Sequence, residues 1–265
     1  ILREATHDVY RKELMNEEEL LKKRMMELAQ KSYHQSIYTH TSFLSLAEQA
    51  IYYEVEREVE YAKGAFLGGY PYAERKILMF GSEELLGYPA PDPVVCLRIQ
   101  PIAPKYSEKL SHRDYLGAVL NLGMERECIG DILVDETGAY LFCMEHMAEF
   151  LLEEISKIRH TLVTTKPVKK MNLDIRPQLK PVEGFVNSFR LDAIVSLGFS
   201  LSRKESAVLI QGKKVFINGR LAETNGKAVI EGDIISVRGM GKMIFSNIRG
   251  QSKKGRHSVL LHRFV

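Results

Sequence analysis

Three prolines within five residues, Pro89, Pro91 and Pro93, divide this chain more sharply than any other feature of its sequence. Proline fixes φ and cannot donate to a β-ladder, so no helix or inner strand runs through such a cluster. Whatever follows starts afresh, and six elements can be read there. Val94–Pro101 reads as a strand and Ser111–Leu122 as a helix, with Ser111 as its cap and Asp114 in its first turn. Ile129–Asp135 and Ala139–Met144 read as strands joined by the turn Glu136-Thr137-Gly138, then Glu145–Ile158 as an amphipathic helix and Thr161–Thr165 as a last strand. The order β-α-β-β-α-β is that of a ferredoxin-like (RRM-like) domain, here spanning residues 83–166. That architecture hosts many functions and names none.

Residues 1–82 read as a small α/β module. Arg11–Tyr33 is helical in pattern, with Asn16 and Glu19 spaced as a capping box and Leu20, Leu21, Met25 and Leu28 on one side. A second helix is expected over Phe43–Tyr53, a turn at Gly68-Gly69-Tyr70-Pro71 and an apolar strand over Lys76–Phe80. Glu54–Tyr61 alternates like a strand yet is rich in helix formers, and both readings stay open. Residues 167–186, with Pro177 and Pro181, read as a linker. The chain as a whole is expected to be α+β.

Charge separates the rest. The chain carries a net charge of +3, but residues 187–265 hold 14 Lys and Arg against five Asp and Glu, a net of +9, which leaves −6 for the other 186 residues. A compact basic segment attracts polyanions. Phe189–Gly198 reads as an amphipathic helix with Leu191, Ile194 and Val195 on one face and Gly198 suited to the C-terminal cap. Ser202 and Glu205 form a capping box that opens a second helix, with Ala207 and Ile210 on its buried side. Arg203 and Lys204 sit in its first turn, where the helix dipole favours anions rather than cations, so a purpose in anion binding is suggested. Gly212 ends the helix, Lys213-Lys214 lead into the strand Val215–Ile217, and Asn218-Gly219 is a two-residue hairpin turn. Arg220 follows it, then the turn Glu231-Gly232-Asp233 and the strand Ile234–Arg238. Residues 187–245 are thus expected as one small domain and 246–265 as a basic extension. In that extension Arg249–His257 suits either a mobile arm or a solvated loop, and Ser258–Phe264 returns as a strand. The expected polynucleotide contacts are Arg190, Ser202, Arg203, Lys204, Lys213, Lys214, Asn218 and Arg220, with Lys253, Lys254 and Arg256 on the extension.

No P-loop, no G-x-G-x-x-G after a strand and no nucleophile elbow occurs, and the histidines lack ligand spacing. No catalytic residue, metal or cofactor is therefore expected, nor a small-molecule substrate. No stretch approaches the apolar length of a membrane span, and the charged start lacks the core of a secretory signal. Cys96, Cys128 and Cys143 are too scattered for a disulfide framework and read as reduced thiols, so a cytoplasmic location is expected. Arg113, Arg126 and Asp131 fit either internal ion pairs or a local RNA-facing patch, and Tyr140 and Phe142 fit either core packing or base stacking.

Taken together, Arg190-Leu191-Asp192, Ser202-Arg203, Gly212–Arg220 and Glu231–Ile235 resemble the RNA-binding domain typified by ribosomal protein S-four. The resemblance covers about 60 residues and implies binding to structured RNA, usually ribosomal or transfer RNA, through two helices and a basic corner. Gly68–Arg75, His112–Ala118 and Arg126–Ile132 resemble the YlmH-type bacterial proteins, encoded near cell-division genes, over nearly the whole chain beyond its first 30 or so residues. That resemblance implies a non-enzymatic, ribosome-associated RNA-binding protein acting on stalled large subunits that carry peptidyl-tRNA, with a middle domain that also binds RNA. Two alternatives remain. One is an RNA-modifying enzyme such as a pseudouridine synthase, because Arg190-Leu191-Asp192 imitates the surroundings of that enzyme's catalytic aspartate. The other is a protein-interaction factor linked to cell division. The oligomeric state stays open, a monomer among the options.

Overall fold

The computed structural model describes residues 2–169, 179–252 and 255–264, with the backbone alone described over 2–16. It divides into two compact units, Ile1–Ile175 and Arg176–Val265.

The first unit opens with helix α1 (Leu2–Gln35), which runs through Asn16 instead of starting there, so Asn16 is no cap. After β1 (Thr39–His40) comes α2 (Leu46–Val55), capped by Ser45, whose side chain and backbone trade hydrogen bonds with Glu48. The open stretch after residue 53 resolves as the end of α2 and a short 3₁₀ turn, Glu60–Ala62, not as a strand. β2 (Ala65–Leu67) and β3 (Ile77–Phe80) complete a three-stranded antiparallel sheet in the order β1-β3-β2. Helix α3 (Glu83–Leu86) is a single turn.

Then follow β4 (Val94–Pro101), α4 (His112–Leu120), β5 (Ile129–Asp135), β6 (Gly138–Met144), α5 (Ala148–Glu154), β7 (Lys157–Ile158) and β8 (Thr161–Val168). The expected helix over 145–158 is shorter because its last residues turn back as β7 and pair with β8. All pairings are antiparallel, in the order β5-β6-β4-β8-β7. The first four in that order stand in the arrangement a ferredoxin-like domain requires. One face of this sheet, with Leu97, Ile99, Leu141 and Cys143, packs on Tyr115 and Val119 of α4 and Leu151 of α5.

The other face is not free. Phe43 and Ile77 pack with Val94, Cys96, Phe142 and Met144 in one buried cluster. Strand β3 is buried along its whole length because its two sides serve different cores. Ile77 lies against the large sheet, while Leu78 and Phe80 meet Met25, Leu28 and Ala29 of α1 and Tyr52 of α2.

The second unit is a six-stranded antiparallel sheet with two helices on one side. Its elements are β9 (Leu179–Val186), α6 (Leu191–Phe199), α7 (Arg203–Gln211), β10 (Val215–Ile217), β11 (Arg220–Leu221), β12 (Ile234–Val237), β13 (Gly241–Gln251) and β14 (His257–Phe264), in the sheet order β11-β10-β12-β13-β14-β9. The stretch 167–186, expected as a linker, thus supplies the end of β8 and the edge strand β9, while residues 170–178 lie outside the described residues. Of the stretch Arg249–His257, read as either a mobile arm or a solvated loop, Arg249–Gln251 lengthen β13 and His257 opens β14, which lies between β13 and β9. Period-two apolar positions explain this: Val182 and Val186 on β9, Met243 and Phe245 on β13 and Val259 and Leu261 on β14 pack against α6. Gly198 does not cap α6; Ser200 takes the left-handed cap conformation (φ 56°). A Cβ at Gly198 would overlap Met243 Sδ, so this glycine lets the helix lie close on β13.

Candidate nucleic-acid interface

The basic corner is built around one carboxylate. Asp192, in the first turn of α6, is buried, with 6% of its surface exposed. Its Oδ1 accepts from Arg190 Nε (3.2 Å), and its Oδ2 accepts from Arg190 Nη2 (3.2 Å) and Arg203 Nη2 (2.6 Å). Burial raises its pKa, but hydrogen bonds and charge from the two guanidiniums outweigh that and hold the carboxyl below its ordinary range. The arginines remain half exposed while their inner N–H groups are held. Arg190 belongs to the residue before α6 and Arg203 to the start of α7, so one buried charge gathers cations from two elements. The backbone of the loop 225–227 completes the corner: Leu191 N donates to Lys227 O and Asp192 N to Asn225 O.

Ser202 caps α7. Its hydroxyl accepts from Glu205 N (3.1 Å), and its backbone N–H donates to the Glu205 carboxylate (2.7 Å), which lowers the Glu205 pKa. Lys204 projects from the first turn into solvent. At the far end of the helix Lys213 adopts a left-handed backbone (φ 54°), its N–H donating to Ile210 O, and Lys214 N donates to Leu209 O. The chain there reverses into β10 with both lysine side chains exposed. Lys204, Lys213 and Lys214 have no ion pair among the described residues. Lys214 O accepts from the backbone N–H of Arg238, at the end of β12. Arg238, exposed and overlooked by sequence reasoning, therefore joins this corner. The pairing of Val215 with Val237 brings it there, and no local pattern could have announced it.

Three expected contacts are placed otherwise. Asn218 turns inward at the hairpin tip: its Nδ2 donates to Asp233 Oδ1 (2.8 Å), and its Oδ1 accepts from Ile234 N (2.9 Å). Arg220 opposes Ile217 in the β10–β11 hairpin, at the opposite end of β10 from Lys214. Arg256 lies at the start of the β14 arm, with Nη2 donating to Phe185 O (2.8 Å) and the guanidinium facing the Phe185 ring. Lys253 and Lys254 lie outside the described residues.

In the first unit, Tyr70 stacks on Phe142 (centroids 4.9 Å apart, planes at 25°) and donates its hydroxyl to Asp131 Oδ2 at 2.7 Å. Burial, then the Asp131 charge, pushes the Tyr70 hydroxyl pKa well up. Gly69 (φ 85°) brings the turn flat onto the ring, where a Cβ would overlap Phe142. Phe142 is thus core, not a stacking platform. Asp131 also accepts from the backbone N–H groups of Glu74 and Arg75. Arg126 donates to the carbonyls of Ile129 and Gly130, and Arg75 to those of Ile129, Phe43 and Arg126. The expected ion pairs among Arg113, Arg126 and Asp131 do not form among the described residues: two of the three groups are consumed by backbone, and Arg113 is exposed. Burial, then Arg75, brings the Arg126 pKa down to about 10. Cys96 and Cys143, pushed up to about 12 by burial, are poor nucleophiles. Among the described residues no three His, Cys, Asp or Glu side chains gather where a metal ion could be held, and no helix is long and apolar enough to cross a membrane.

Residues 97–172 match a family model described as "Putative RNA-binding domain in YlmH", and residues 189–235 match the S4 domain. A curated relative, the ribosome-associated protein quality control protein P2 of Bacillus subtilis (strain 168), is 30% identical over 227 residues, covering 84% of this chain and 86% of the relative. A solved structure, the cell division protein ylmH from Streptococcus pneumoniae, is similar with a TM-score of 0.46 at 20% identity, over 59% of this chain and 94% of that one.

Proposed function

The chain belongs to the YlmH-type family with a C-terminal S-four-type domain, and from that premise we propose that it is a non-enzymatic, cytoplasmic RNA-binding protein of the ribosome. The observation that carries this reading is the ratio of charges around α7. Arg190, Arg203, Lys204, Lys213, Lys214 and Arg238 border it against two carboxylates: Asp192 holds two of the arginines in place without covering them, and Glu205 is taken up by the backbone N–H of Ser202. Such a surface displaces counterions from phosphates, and fixed arginines favour a folded RNA over a flexible one. The work done is stoichiometric: a shape is bound and held. Its RNA is ribosomal or transfer RNA, met on stalled large subunits that carry peptidyl-tRNA.

Binding of the full chain to large subunits, measured by co-sedimentation over a range of salt, tests this. Log affinity is expected to fall linearly with log salt. The variant R203A/K213A/K214A should weaken binding and reduce that slope by about one for each phosphate left without its cation. An unchanged slope in the variant defeats the proposal. Pseudouridine or methyl groups appearing in ribosomal RNA exposed to the wild-type protein would favour the enzyme reading instead.

A further inference from the structure

Two edge-to-face tyrosine pairs stand at the C-terminal end of α1. Tyr33 and Tyr61 have ring centroids 5.2 Å apart with planes at 77°, and Tyr38 and Tyr88 lie 5.3 Å apart at 89°. The two pairs adjoin. Gly81 N donates to Ala62 O (2.7 Å), next to Tyr61, and a Cβ at Gly81 would crowd the Tyr38 ring. Tyr38 donates its hydroxyl to Tyr88 O (2.9 Å), and Tyr88 donates its own to Ser36 O (3.2 Å), just past the helix end. These contacts hold the rings without hiding them. Tyr33, Tyr61 and Tyr88 are 49%, 37% and 41% exposed, and Ile37 and Leu85 are exposed too.

Tyrosines gathered and held in water mark an interface rather than a core. Charge decides what covers them. Residues 54–63 and 82–92, which carry Tyr61 and Tyr88, hold seven Asp and Glu against two Lys and Arg. Lys31 and His34, on the adjoining turns of α1, leave that sum negative. Glu58, Glu60, Glu83 and Glu84 are exposed and have no ion pair among the described residues. Partial burial, then the Glu83 charge, raises the Tyr38 hydroxyl pKa, so that carboxylate acts on the second pair. The carbonyl end of a long helix adds partial negative charge. Such a surface repels phosphates, whereas ring faces and carboxylates both attract guanidinium and ammonium groups. We propose that the face formed by the pairs Tyr33–Tyr61 and Tyr38–Tyr88 docks an arginine- or lysine-rich segment of a partner protein. This face lies wholly within the first unit, and its occupant is independent of the RNA-binding reading.

The chain contains no tryptophan, so Tyr61→Trp sets a single reporter within the first pair. In the full-length Y61W protein, a short peptide of repeated Arg-Gly-Leu should change the tryptophan emission to saturation. A peptide of repeated Glu-Gly-Leu should not, nor should an oligouridine. Adding Y33A/Y88A keeps every charge and should weaken peptide binding about tenfold, the effect of two lost ring contacts. Adding E60Q/E83Q/E84Q keeps every ring and should weaken binding at least about threefold while flattening its salt dependence. Far-ultraviolet circular dichroism checks that each variant is folded, and a fluorescent label on the peptide follows its binding to the wild-type chain. The proposal is refuted if the arginine peptide does not bind, binds without altering the emission, or binds both variants as tightly as the parent. An emission change with oligouridine and none with peptide overturns it in favour of nucleic acid. A change on dilution of Y61W alone overturns it in favour of a second copy of this chain.

Discussion

At the scale of single residues, the C-terminal corner depends most on Asp192. Its lowered pKa has a definite sign for stability: the carboxylate contributes above its ordinary value of 3.8 and the contribution is lost as pH falls through the lower folded value. Asp192→Asn is expected to cost about 1–2 kcal/mol in denaturant melts at neutral pH, the modest end for charge-assisted hydrogen bonds because both arginines stay half exposed. It should also remove part of the acid limb of the stability profile, and a variant whose acid limb matches the parent would contradict this. Gly69 is a second such position. Gly69→Ala meets both a left-handed backbone and the Phe142 ring, so a loss of about 1–3 kcal/mol is expected on thermal melting. Neither effect is legible in the sequence. Arg190-Leu191-Asp192 shows the residue types, but which carboxylate gathers which cations depends on how α6 meets α7.

At the scale of elements, local chemistry is readable wherever a motif closes on itself. The Ser202–Glu205 box, the turn at Asn218-Gly219 and the strands Val94–Pro101 and Ile129–Asp135 all form where spacing and alternation place them. The capping hydroxyl of Ser202 is expected to contribute about 1 kcal/mol, so Ser202→Ala should lower the melting temperature of the C-terminal unit, with Ser202→Asp restoring it. Local pattern fails where an element needs a distant partner. Residues 179–186 have two prolines in or near them and look like a tether, yet Val182 and Val186 are inward positions of β9 because β14 supplies a ladder. The segment after Phe245 reads as a charged extension, although Leu261 is fully buried in it. Leu261→Ala should therefore cost about 2–5 kcal/mol, measured by chemical denaturation, where a free tail would lose nothing.

On the scale of the whole molecule, the asymmetry of charge along the chain points to the C-terminal third for a polyanion but conceals a finer division in the rest. The acidic two-thirds hold a sheet with one face half closed by Phe43, Ile77 and Tyr70. A count of residues could not reveal this, because Tyr70 and Phe142 meet only in space.

Strand β9 pairs with β14, Val186 with His257 and Leu179 with Phe264, so its ladder partner is made 71 to 85 residues later. At about 5–20 residues per second, the newly made edge waits about 4–17 s during synthesis with its amide and carbonyl groups unclaimed. Until β14 is made the last sheet cannot close, so a copy still being translated cannot yet carry a complete C-terminal unit.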